Sequence, residues 1–215
     1  MARPRTSRAN ALNTLTDDEL GSAAQRDRRK RILDATIALA AKGGFEAVQM
    51  RAVAEKADVA LGTLYRYFPS KIHLLVSGLA RELERGQERA ERSTIPGDTA
   101  YDRLLFVLRR ITRAMQRDPN LTEAMTRAFM FADASASSEV DTVAKLIERM
   151  FTPALHGGVG TGESTAEDRA IARVIGDVWL SNLVAWVTRR ASAGDVADRL
   201  ELTVRLLVRD RRTDG

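Results

Sequence analysis

The chain has 215 residues, 44% hydrophobic and 29% charged, with a net charge of +5 and no cysteine. That apolar content suffices for the core of one folded unit or two small ones. The missing cysteines exclude disulfides, thiolate metal sites and cysteine nucleophiles, and the two histidines, His73 and His156, show no metal-ligand or nucleophile-pairing spacing.

In chain order, residues 1–21 mix Arg, Pro, Ser, Thr, Asn and Asp without periodicity and read as a disordered arm without an apolar leader. Ser22 caps a first helix reaching about residue 41. Ile32, Thr36, Leu39 and Ala40 share one of its faces, and Gly43-Gly44 stops it. Residues 49–57 read as a short second helix with Val53 inward, and Asp58 marks a tight turn. Residues 60–68 form a third helix, anchored by Leu64 and Phe68 at i and i+4. Pro69-Ser70 breaks the chain. Ser70 caps a long fourth helix to about 92, with His73 expected on its surface.

Residues 93–100 connect to helical patterns at about 101–117, 121–132 and 136–151. GGVGTGEST (157–165) is a loop, and longer helices follow at about 167–191 and 195–209. Strand signals are absent, so the expected fold class is all-α with about nine helices. Residues 22–72 form one unit and residues 73–215 a second. No apolar run approaches the ~18 residues of a membrane span, which places the protein in the cytoplasm without a membrane partner.

The charge is unevenly placed. Residues 22–72 hold ten Lys/Arg against five Asp/Glu, residues 1–21 three of each sign, and residues 73–215 twenty-one of each. The whole excess therefore falls where the short helices lie, as suits a polyanion-binding segment. A solvated basic face has the same composition, so charge alone does not decide. The geometry adds to it. A short helix, a tight turn and a second short helix, braced by a preceding one, is a helix-turn-helix whose second helix enters the DNA major groove.

The stretch ADVALGTLYRYFPSK (57–71) then divides into anchors and readers. Gly62 permits close backbone approach, and Thr63 offers a hydroxyl and a methyl to base edges. Tyr65 and Tyr67 reach phosphates, and Arg66 meets guanine or phosphate. Lys71 opposes the dipole of its own helix, a conflict that a phosphate would relieve. Gln49 and Arg51 open the second helix, and the basic run RDRRKR (26–31) lies in the first.

The segment AEKADVALGTLYRYFPSKIHLL closely resembles the DNA-binding signature of TetR-type bacterial transcription regulators, with the match running from about Arg28 to Leu75. Asp58 stands where that pattern favours glycine, and Ala60-Leu61 replaces a frequent Ser-Lys pair. The second departure removes a helix cap and a phosphate contact and makes Leu61 an apolar base contact. The resemblance implies a DNA-facing set of Gln49, Arg51, Leu61, Gly62, Thr63, Tyr65, Tyr67 and Lys71, joined by Arg66, on a palindromic double-stranded operator.

It also implies that the remaining chain binds an effector and dimerises. The segment IARVIGDVWLSNLVAWV (171–187) is apolar around most of its circumference and needs cover on nearly all sides. The last helix presents Val196, Leu200, Val204 and Leu207 on one face. The helices at about 167–191 and 195–209 are thus expected to form a four-helix homodimer contact. Met115, Met125, Met130 and Met150 lie among Phe106, Phe129, Trp179 and Trp186, a content suited to a bulky apolar ligand, although such residues are also ordinary core. Arg113, Arg127 and Asn182 are the polar candidates nearby.

Residues 114–141 and 177–192 further resemble the actinobacterial TetR-type repressors of cholesterol catabolism. That likeness implies an effector that is a sterol-derived acyl-coenzyme A thioester, with Arg113 and Arg127 as partners for its phosphates and no other cofactor. Two rivals stand beside this reading. GGVGTGES (157–164) nearly matches a phosphate-binding loop, but Glu163 replaces the lysine and no strand precedes it. An architectural DNA-binding protein would leave the long, charge-neutral second unit without a task, and a TetR-type regulator answering another bulky apolar ligand stays open.

Overall fold

The computed structural model describes residues 22–91, 94–156 and 164–208. The arm assigned to residues 1–21, the helix ends placed at 92 and 209, and most of the 157–165 loop lie outside these. The described residues contain nine α-helices, one 3₁₀ turn and no strand. The helices are α1 (Ala23–Ala47), α2 (Met50–Lys56), α3 (Leu61–Tyr67), α4 (Lys71–Glu91), α5 (Ala100–Arg117), α6 (Pro119–Met130), α7 (Ser137–Leu155), α8 (Ala166–Val187) and α9 (Ala193–Leu207).

Local chemistry explains most boundaries. Ser22 and Gln25 form a reciprocal capping box at the start of α1, and Thr99–Asp102, Thr165–Asp168 and Ser192–Asp195 do the same for α5, α8 and α9. Asp118 caps α6 by accepting the Leu121 N–H at 3.0 Å, and Pro119 takes a position where no intrahelical N–H is needed. The α1 helix breaks at Gly43 and Gly44, the latter at φ 65°, and makes a further turn to Ala47. Its expected stop is therefore an elbow. The α7 helix runs past its expected end at 151, because Phe151, Thr152, Ala154 and Leu155 are buried and Pro153 falls in the last turn.

Two apolar cores result. The first joins Ile32, Leu33, Val53, Leu64, Phe68 and Leu75 of α1–α4 to Ala124, Met125 and Ala128 of α6 and Val143 of α7. The second gathers Leu104, Leu108, Phe151, Ile175, Trp179, Leu183, Leu200 and Val204 from α5, α7, α8 and α9. Ile147 and Met150 pack against both. A Cβ on Gly176 would stand 2.8 Å from Ile147 Cγ2, so glycine lets α8 lie close on α7. By length and composition α8 is apolar enough to cross a membrane, contrary to the sequence expectation, yet Ile171, Ile175, Trp179 and Leu183 are buried in the second core.

Candidate functional site

The α2–turn–α3 unit has the expected helix-turn-helix form. Asp58 sits at φ 52°, and Ala60 starts α3 without a side-chain cap. Arg31 of α1 donates to the Ala57 carbonyl at 2.8 Å, bracing the turn from behind. This arginine, read in the sequence as part of a basic run, is thus a structural strut.

Outward from this brace, Gln49, Arg51, Gly62 and Arg66 are exposed, Tyr65 is 47% exposed, and Leu61 and Thr63 are half-buried. Nothing lies within 4 Å of a Cβ built on Gly62, so the chain itself leaves that approach open. Tyr67 requires a correction. It is only 3% exposed, and its ring lies 6.4 Å from that of Phe68. At i+3 from Leu64 it shares the anchoring face, which leaves at most its hydroxyl tip for a phosphate.

Lys71, at the start of α4, is half-buried with its ammonium 3.8 Å from the Phe45 ring centroid. Arg127 of α6 lies over the same ring at 4.4 Å and pairs with Glu46 at 3.0 Å and Glu123 at 3.6 Å. Burial lowers the Lys71 pKa from its ordinary value, Glu46 opposes this, and the Arg127 charge adds to it. Glu123 also accepts the Phe45 backbone N–H at 2.8 Å, and Asn120 donates to the Ala41 carbonyl at 3.2 Å. Side chains of α6 thus satisfy backbone groups that the α1 elbow leaves open. A Cβ on Gly44 would stand 2.7 Å from the Glu123 carboxylate, so the elbow needs glycine for space as well as for its backbone angle.

Two further ties hold α4. Arg81 pairs with Asp34 of α1 at 2.9 Å, and Arg85 reaches the same carboxylate at 3.5 Å. His73, expected on the surface, is 3% exposed. Its Nε2 lies 3.0 Å from the Ser135 carbonyl and its Nδ1 2.9 Å from the Ser70 hydroxyl. With the proton on Nε2, the ring donates to Ser135 and accepts from Ser70, and it links the entry of α4 to the turn before α7.

The expected effector residues do not form one group. Met115, Met150, Trp179 and Trp186 gather at the second core, and Met125, Phe129 and again Met150 at the first. Phe106 is 36% and Met130 54% exposed, and Arg113 is exposed. These three point away from the cores, a correction to their expected place in a pocket. Arg127 belongs to the α1–α6 seam. Asn182 is buried, and its amide donates to the Val178 carbonyl one turn back at 2.8 Å. The indole N–H of Trp179 and the hydroxyl of Thr112 are buried without a hydrogen-bond partner.

The expected dimer face is also corrected. Val196, Leu200 and Val204 are buried in the chain's own second core, whereas Val174, Leu202 and Leu206 remain exposed on α8 and α9. On α9, position 202 and position 206 lie one turn apart, so the apolar face left for a partner is the opposite one.

Among the described residues the fold is all-helical, with a braced helix-turn-helix and a second helical core, the build of a DNA-binding transcription regulator. Residues 32–77 match the family described as bacterial regulatory proteins, tetR family, and residues 97–207 match the tetracyclin repressor-like C-terminal domain. The chain belongs to the TetR family. It is 66% identical to the HTH-type transcriptional repressor KstR of Rhodococcus jostii, over 93% of this chain and 92% of that one. It is 64% identical to KstR of Mycobacterium tuberculosis, over 92% of this chain and 88% of that one. A TetR transcriptional regulator from Rhodococcus sp. RHA1 shares the fold at TM-score 0.75 and 31% identity, over 88% of this chain and 99% of that one. FadR of Bacillus subtilis, solved with stearoyl-CoA, shares the fold at TM-score 0.61 and 22% identity, over 83% of this chain and 97% of that one.

Proposed function

We propose that the protein is a homodimeric repressor of sterol-catabolism genes, acting in the cytoplasm and released from a palindromic operator by a sterol-derived acyl-coenzyme A. The reading rests first on the outward face of α3. Leu61, Gly62, Thr63, Tyr65 and Arg66 stand clear of the anchors Leu64, Tyr67 and Phe68, as base and backbone contacts require. Two such helices, paired through the α8–α9 face that carries Leu202 and Leu206, meet successive major grooves roughly 34–36 Å apart.

The effector class follows from the likeness to the KstR repressors and to the sterol-catabolism group within the family. The apolar part of the thioester lodges among Met115, Met150, Trp179 and Trp186, where buried Trp179 and Thr112 have hydrogen-bonding capacity to offer a polar ligand atom. Binding there displaces α4 and α6, which hold the DNA-reading unit through Lys71, His73, Glu123 and Arg127. The effector must bind the released arrangement more tightly, since equal affinity for both would shift nothing.

Fluorescence anisotropy on a labelled palindromic operator tests the reading. The titrants are sterol, sterol acid, the sterol acyl-coenzyme A and a fatty acyl-coenzyme A. Release by the sterol thioester at the lowest concentration supports it. Release by the fatty thioester alone moves the effector to another class, and release by none of them refutes a sterol or acyl-coenzyme A effector.

A further inference from the structure

One basic cleft has no part in this scheme. Arg26, Arg29, Lys30 and Leu33 recur at helical spacing along one stripe of α1, and Arg81 and Arg85 lie one turn apart on α4. The two stripes enclose a cavity of about 320 Å³, with buried Leu33 in its lining. That volume is at the lower end of small-ligand sites. Five cations line it, with Asp27 as the one acid. Asp27 is engaged by Arg31 at 3.4 Å, and Arg85 also meets Glu82 at 3.0 Å.

Arg81 is the informative member. Its Nη1 donates to the Lys30 carbonyl at 3.1 Å and its Nη2 pairs with Asp34 at 2.9 Å. Its Nε is buried and has no hydrogen-bond partner. Asp34 serves both Arg81 and Arg85, so one carboxylate answers two guanidinium groups. Burial, and next the like charge of Arg85, lower the Arg81 pKa from its ordinary value. A second anion would relieve the repulsion and give the guanidinium donors acceptors.

We propose that the α1–α4 cleft is a binding site for a phosphate-class anion, held by Lys30, Arg81 and Arg85. An occupant would hold α1, which braces the DNA-reading helices, against α4, which runs to the sensing core. Its binding is therefore linked to operator affinity, and operator binding to its affinity by the same factor. None of its lining residues belongs to the second core, where the apolar part of the effector lodges.

Inorganic pyrophosphate is the probe, at constant ionic strength, with chloride as the control. Thermal unfolding and calorimetry are read for the full chain, for Arg85→Gln and for Lys30→Gln. Both substitutions fall on side chains with solvent exposure, and Arg81 is left in place to hold Asp34. Pyrophosphate should raise the midpoint of the unsubstituted protein, and each variant should bind about tenfold more weakly. The proposal is overturned if chloride gives the same shift, or if both variants keep the full response. Operator titrations then identify the source of the phosphate. Competition between pyrophosphate and DNA, with a salt slope lowered by about one in Arg85→Gln, assigns the cleft to a backbone phosphate of the operator. Pyrophosphate binding to the protein–operator complex, with an unchanged slope, assigns it to a free ligand.

Discussion

Glu123→Ala is the sharpest perturbation of the seam between the sensing helices and the DNA-reading unit. Its carboxylate accepts the Phe45 N–H at 2.8 Å, a part-buried bond across 78 residues of chain. A hydrogen bond to a charged group contributes about 1.5–3 kcal/mol, and an amide left without an acceptor costs a similar amount. Arg127 keeps Glu46 at 3.0 Å, and Asn120 keeps the Ala41 carbonyl, so the seam loosens without parting. Unfolding free energy should therefore fall by about 1.5–3 kcal/mol. The same bond joins the two functions, so the ratio of operator Kd with and without the sterol thioester should fall roughly tenfold, equivalent to 1.4 kcal/mol of coupling. Urea unfolding gives the first quantity and anisotropy titrations the second. A fall in stability with a coupling ratio unchanged within about twofold would refute the transmission role and leave Glu123 a prop.

Thr63→Ala and Tyr65→Ala should each weaken operator binding by about 1–3 kcal/mol in gel shifts while the dimer stays folded, and a loss equal for random DNA would reassign them to backbone contact. Lys71→Ala should reduce the salt slope by about one, measured between low and moderate salt. The lowered Lys71 pKa also has a pH signature, because a phosphate favours the charged form and raises the pKa in the complex. Operator affinity should hold below the free-protein pKa and fall as pH rises through it, sooner than for a lysine at 10.5, and Lys71→Ala should abolish that part of the profile. Leu202→Glu with Leu206→Glu should give a folded monomer in light scattering; a surviving dimer would place the interface elsewhere. Asp168→Ala removes the acceptor of the Thr165 N–H and the 2.7 Å partner of His156, and should lower stability in urea by about 2–4 kcal/mol.

What could be read from the sequence was what nearby residues decide. The Ser22 cap, the Asp58 turn, the Pro69-Ser70 break and the outward side of α3 each follow from a few neighbours. Tyr67 was misread within that same range, since assigning Leu64 and Phe68 to the core already fixes the i+3 position between them. His73 was half legible: Ser70 is three residues away, but the Ser135 carbonyl is 62 residues distant. Arg127 reads in the sequence as a basic partner for the effector's phosphates, because it lies among the methionines and aromatics of the second unit. That it stacks on Phe45 depends on how α6 meets the α1 elbow. On α9, apolar residues occur on two faces, and burial by α5 and α8 selects which faces inward.

The elbow at Gly43-Gly44 bears on how such regulators can be recombined. Beside it the Phe45 amide is satisfied by Glu123 and the Ala41 carbonyl by Asn120, and its core continues into Ala124, Met125 and Val143. The headpiece is accordingly not a cassette that lifts out at the end of α3. A chimera built by joining residues 22–72 to another sensor would expose the apolar underside of α1 and strand the Phe45 amide. To exchange reading heads between regulators, the graft has to carry the start of α6 with it, or a sensor that offers the same carboxylate and amide at that spot. Operator choice and sensor choice are then inherited together through α6, although the two matched regions of the chain are separate in sequence.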